Sequence, residues 1–138
     1  MIEVKRKLLR VTLVLASSLG LSVASTNLAH AGPGGTCASG EVCLYYNSLE
    51  NNLNAYFVQT SDIPDYQGYS FRQSQYGSYG AGQGVKNNAA AVNNRSSYHF
   101  RVFYNSYYSC AVACQQIPSL TFVNLNSAMK NNNASGSM

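Results

Sequence analysis

The chain states one pattern twice, and that repetition restricts its fold more than any other feature. Cys43-Leu44-Tyr45-Tyr46-Asn47-Ser48 returns as Arg101-Val102-Phe103-Tyr104-Asn105-Ser106. Ile63-Pro64 returns as Ile117-Pro118. Lys86-Asn87-Asn88-Ala89-Ala90 returns, one residue looser, as Lys130-Asn131-Asn132-Asn133-Ala134-Ser135. Three anchors in the same order predict one supersecondary unit built twice, the two copies completing one fold. The expected units are repeat one, about 37–94, and repeat two, about 98–138.

Residues 1–31 stand apart from this pattern. Lys5, Arg6, Lys7 and Arg10 form a basic head, Val11 to Ala24 is uncharged and mostly apolar, and Ala29-His30-Ala31 is a small-residue exit. That order predicts a signal peptide, 1–31, removed to leave a secreted chain beginning at Gly32. The apolar run is too short to span a bilayer. The remainder, 32–138, is expected to be one domain, because each repeat alone would bury too little surface. It carries five basic residues (Arg72, Lys86, Arg95, Arg101, Lys130) against four acidic ones (Glu41, Glu50, Asp62, Asp65). No basic stripe is left for phosphates, which argues against a nucleic-acid partner. No second long apolar run argues for membrane contact after signal removal.

All four cysteines, Cys37, Cys43, Cys110 and Cys114, lie in the part expected to be exported. An even count in a small exported chain reads as disulfides. The local pairs Cys37–Cys43 and Cys110–Cys114 are favoured, because each sits near a repeated Tyr-Asn-Ser element. A zinc site is the rival, and Cys-x5-Cys with Cys-x3-Cys spacing suits it poorly.

Strand signals dominate the rest. Val42, Leu44 and Tyr46 alternate with Cys43 and Tyr45, and Phe100, Val102 and Tyr104 alternate with Arg101 and Phe103. Gly, Asn, Ser and Pro separate such runs, as turns require. Four strands per repeat are expected, centred on 42–47, 54–60, 69–73 and 88–93, then 98–105, 111–116, 120–125 and 131–135. Ser127 to Lys130 can form one helical turn. The pattern predicts an all-β fold, two Greek-key motifs packed as a β-sandwich and stapled by disulfides. The first copy is longer by about ten residues within the Tyr/Gly/Gln/Ser-rich tract 66–84. That tract reads as a surface loop with tyrosines folded back, or as a contact surface for sugars or proteins.

Enzyme chemistry has little to work with. His99 is the single histidine after residue 31 and falls within a strand pattern beside Phe100. No metal, phosphate or nucleophile-elbow motif accompanies it. Asp62 and Asp65 flank Ile63-Pro64, a turn composition rather than a glycosidase pair. The chain is expected not to be an enzyme and to need no cofactor.

Cys37, the run Cys43-Leu44-Tyr45-Tyr46-Asn47-Ser48 and the run Val85-Lys86-Asn87-Asn88-Ala89-Ala90-Ala91 together resemble the Streptomyces metalloproteinase inhibitor family of peptidase inhibitors, over residues 37–135. The resemblance implies a βγ-crystallin-like β-sandwich. It also raises the calcium sites common in that fold, yet here lysine and alanine stand at ligand positions around Asn87 and Asn88, so no metal is expected. By the same resemblance, Cys110-Ala111-Val112-Ala113-Cys114 becomes an inhibitory loop. Val112 would enter the apolar pocket of a thermolysin-like zinc peptidase, with the carbonyl of Ala111 facing its metal. The expected role is thus a monomeric, secreted inhibitor of an extracellular peptidase. The alternative is a crystallin-like binding or antimicrobial module contacting cell-wall polysaccharide, or a structural extracellular protein.

Overall fold

The computed structural model describes residues 35–138. The expected signal peptide, 1–31, and its cleavage before Gly32 lie outside these residues. Within them the chain forms strands β1 (Val42–Tyr45), β2 (Tyr56–Gln59), β3 (Ala91–Asn94), β4 (Phe100–Phe103), β5 (Cys114–Ile117), β6 (Thr121–Asn124) and β7 (Ser135–Ser137), with one 3-10 turn at Leu49–Asn51. Two antiparallel sheets result, ordered β2-β1-β3-β6 and β5-β4-β7. The expected all-β sandwich of Greek keys is the observed one.

The halves trade strands. β6, from the second half, pairs with β3 of the first sheet. In return Ile63, from the first half, pairs with Gly136 of β7 through two backbone hydrogen bonds of 2.8 and 3.0 Å. This exchange explains two departures from the expected strands. Residues 69–73 are not a strand; the crossing position belongs to Ile63, and Arg72 instead bridges Tyr56 at the edge of β2. The Ile-Pro anchors are not equivalent either. Ile117 ends β5 opposite Phe100, whereas Ile63 corresponds to Val123, the residue that faces Val92. The strands expected at 88–93, 111–116 and 131–135 all begin later, at Ala91, Cys114 and Ser135.

The sheets meet over a core of Val42, Leu44, Val92, Phe100, Val102 and Ile117, joined by Tyr66, Phe71 and Met129 from loops. Each aliphatic or aromatic side chain so buried contributes roughly 1.5–3 kcal/mol. A second cluster lies on the opposite face of the first sheet, where Cys37, Cys43, Tyr45, Tyr56 and Val58 pack with Tyr76 and Phe122. Strand β1 is therefore buried on both faces. The Tyr45 ring stacks on Phe122 at 5.4 Å and meets the edge of Tyr76 at 5.8 Å.

The two Lys-Asn-Asn loops face each other. Asn87 donates its backbone N–H to Asn133 O, and Asn131 donates its own to Ala89 O, both at 2.8 Å. Asn87 and Asn131 share a left-handed conformation, φ 63° and 60°, which asparagine tolerates better than most residues. Asn126 begins the turn expected near 127–130: its side chain accepts the N–H of Met129 at 3.0 Å and its carbonyl that of Lys130 at 2.9 Å.

Candidate functional site

The β4–β5 hairpin carries the expected loop. Cys110 and Cys114 are disulfide-bonded, with Cα atoms 5.1 Å apart, and Cys114 pairs with Phe103 at the start of β5. The chain bends at Ala111 and Val112 instead of running as strand. Val112 is 64% exposed, while Ala113 packs against the core. Tyr104 donates to Ala113 O at 3.0 Å, closing the base of the loop.

The preceding stretch is braced against the other half. Tyr107 N–H donates to Pro64 O at 2.6 Å, and Tyr108 N–H donates to Ser135 Oγ at 3.1 Å. Ser135 Oγ in turn donates to Asn105 O at 2.7 Å. The Lys86 ammonium donates to Ser106 Oγ at 3.2 Å. Both tyrosines hold left-handed backbone, φ 58° and 61°, a conformation unusual for bulky side chains and kept only where surrounding contacts impose it. The Tyr107 ring is 76% exposed, and those of Tyr104 and Tyr108 are exposed beside it. The sequence offered no sign of this aromatic group, because tertiary contacts, not local pattern, turn it outward.

The tract 66–84 does fold back on the sandwich. Tyr66 and Phe71 are buried and Tyr76 joins the second cluster, so Tyr69 and Tyr79 are its exposed tyrosines. Gly80 lies so close over the Tyr46 ring that a Cβ there would fall within it. Residues Cys37 and Cys43 also pair, Cα atoms 6.0 Å apart, and leave no free cysteine among the described residues. Buried Glu41 sits beside that bridge, its Oε2 accepting the Ala38 N–H at 2.7 Å. Both sulfurs are consumed in the disulfide, so these three side chains do not make a thiolate zinc site.

The Lys-Asn-Asn loops do not suit calcium. Lys86 places its ammonium 2.9 Å from Asp65 Oδ1, and this hydrogen-bonded pairing holds the Asp65 carboxyl below the ordinary range. A divalent cation would have to displace that ammonium, and Ala89 and Ala90 offer no side-chain oxygen. His99 lies just before β4, not within it, and is exposed. Ser96 Oγ is committed to Asn94 Oδ1 at 2.7 Å, with no acid or base beside it to activate it.

No family model matches the sequence, and no curated protein matches it. A solved structure described as "Evolution of the eye lens beta-gamma-crystallin domain fold" superposes with a TM-score of 0.56. The overlap covers 77% of this chain and 91% of that one, at 15% identity. The fold is that of a βγ-crystallin domain. At such identity the likeness carries the fold alone, and it does not reach the metalloproteinase-inhibitor family.

Proposed function

We propose that this βγ-crystallin-like protein is a secreted peptidase inhibitor whose working element is the loop Cys110-Ala111-Val112-Ala113-Cys114. The observation that carries this reading is Val112, an apolar side chain turned to solvent at the tip of a disulfide-closed loop. A loop held in shape beforehand loses less entropy on entering a cleft. The tethers to Pro64, Ser135 and Lys86 add to that restraint. Because the chain bends at Ala111 and Val112, the loop offers one side chain as a plug more than a strand laid along the cleft. An apolar pocket of the thermolysin type accepts such a residue.

The deciding experiment measures inhibition constants for a thermolysin-like zinc peptidase, with serine and cysteine peptidases in parallel. Val112→Asp should weaken inhibition roughly a hundredfold, because an unpaired carboxylate would enter an apolar pocket. An unchanged circular dichroism spectrum should accompany the loss. Equal inhibition by both proteins would move the reactive site elsewhere. Failure to inhibit any peptidase would leave the binding-module reading, for which Tyr69 and Tyr79 are the exposed side chains of the 66–84 tract.

A further inference from the structure

The hydrogen bonds across the sandwich set up a correspondence between the halves. Tyr66 N–H donates to Ala134 O as Leu125 N–H donates to Ala90 O. Ser106 follows β4 as Ser48 follows β1, and the facing asparagine loops align Lys86 with Lys130. Asp65, one residue before Tyr66, therefore corresponds to Asn124, one residue before Leu125.

In one half the Lys86 ammonium is enclosed by the Asp65 carboxylate at 2.9 Å and Ser106 Oγ at 3.2 Å. In the other half an amide replaces the acid. Lys130 has no carboxylate at ion-pair distance among the described residues, and its ammonium makes no hydrogen bond there. It lines instead an open cavity of about 250 Å³, together with Tyr46, Asn47, Ser48, Asn88 and Asn131. Asn88 commits its amide nitrogen to Gly84 O at 2.8 Å and keeps Oδ1 open. The side chains of Asn47 and Asn131 make no hydrogen bonds among the described residues. Glu50 is the acid whose field reaches Lys130, but its carboxylate is in solvent and accepts Asn124 Nδ2 at 2.7 Å.

We propose that this cavity binds a uronic acid unit, the ligand carboxylate taking against Lys130 the place that Asp65 takes against Lys86. The charge requirement comes from the lysine left unpaired where its counterpart is paired. The sugar body follows from the lining, because Asn47 and Asn131 each offer a donor and an acceptor to neighbouring hydroxyls and Asn88 offers an acceptor. The volume suits one ring, being below the usual range for larger ligands. This reading rests on different residues from the inhibitory loop and stands or falls without it.

The test is an NMR titration of the oxidised full chain with glucuronate, glucose and acetate, followed at the amide signals. Glucuronate should give saturable shifts at Asn47, Asn88, Lys130 and Asn131, with millimolar affinity. Glucose and acetate, each lacking half of the recognised chemistry, should bind roughly tenfold more weakly or less. Lys130→Met should abolish the glucuronate response. Asn124→Asp should weaken it by up to about fivefold by supplying an internal carboxylate. Glu50→Gln should strengthen it by removing a competing charge. Glucuronate binding that survives Lys130→Met overturns the proposal, as does equal binding of glucose or no saturable shift at tens of millimolar. Wild-type amide dispersion in each variant establishes that the fold is kept.

Discussion

The side-chain carbonyl of Asn133 accepts the backbone N–H of Ala89 at 2.9 Å, and through that bond one half of the molecule is buttoned to the other. The same amide donates to Val85 O at 2.9 Å, and the residue is wholly buried. Its counterpart in the first half is Ala89 itself, so the bridge exists once. Asn133→Ala would leave the buried Ala89 N–H without a partner, while Val85 O keeps the Asn88 N–H at 3.2 Å, at a cost of about 1–3 kcal/mol. The melting temperature should fall by at least about 4 °C, since a domain of this size loses roughly 4–8 °C per kcal/mol. A thermal scan showing a drop within error would mean that water replaces the amide there.

Gly136 is required by its neighbours. From β7 it faces Val102 of β4, and on its other side it pairs with Ile63. A Cβ on it would lie 2.8 Å from Phe100 Cζ and closer still to the Tyr66 hydroxyl. Gly136→Ala should therefore destabilise by about 1–3 kcal/mol through overpacking. Urea denaturation would measure this, and Phe100→Leu in the same chain should recover part of the loss. Additive effects of the two changes would show that no such clash exists.

The Cys110–Cys114 bridge closes a very short loop, so its removal should have a small and local effect. Chain-entropy arguments put the cost of the double serine variant at about 2 kcal/mol. Hydrogen exchange should accelerate at Tyr104, whose N–H closes the loop base on Ala113. It should stay slow at Leu44 and Val92 of the first sheet. Global acceleration would show instead that the hairpin and the sheets open as one unit.

Burial raises the phenol of Tyr66 well above its ordinary 10.0, and burial likewise raises Tyr45 and Tyr56. The unfolded chain releases these protons above about pH 10 while the folded chain holds them. Their contribution to stability is thus complete below that pH and is lost as pH rises further. Each such tyrosine adds up to about 1.4 kcal/mol per pH unit to the alkaline decline. Tyr66→Phe should flatten that decline while lowering stability at neutral pH, where the bond to Gln59 Oε1 at 2.6 Å disappears. An alkaline slope unchanged in the variant would place the titration elsewhere.

Much of the architecture was legible because it is written locally. The doubled Tyr-Asn-Ser and Lys-Asn-Asn runs mark real correspondences, since Tyr46 and Tyr104 each donate from the same place at the base of a hairpin, to Ala55 and Ala113. Both local disulfides are formed. The third strand of the first half was not legible, because Ile63 contributes a single bridged position with no alternating run to announce it. Its chance likeness to Ile117 then misplaced an anchor. The second cluster around Tyr45 was hidden too, because burial of both faces of β1 depends on Tyr76, far along the chain. In the candidate site, the Cys110–Cys114 bridge could be anticipated from the even cysteine count, the closeness of the pair and its place beside the repeated Tyr-Asn-Ser run. The bracing of Tyr107 by Pro64 and the unpaired Lys130 depend on contacts between halves that share no local pattern.

The strand exchange governs when the molecule can come into being. The first sheet waits for Thr121–Asn124, and the second takes in Ile63 only once Gly136 is present. Neither sheet is complete until residues 121–124, for the first, and Gly136, for the second, are available to pair. Such distant pairings are slow to form. Until then β1, β2 and β3 can pair with one another, but the core that both halves share stays open.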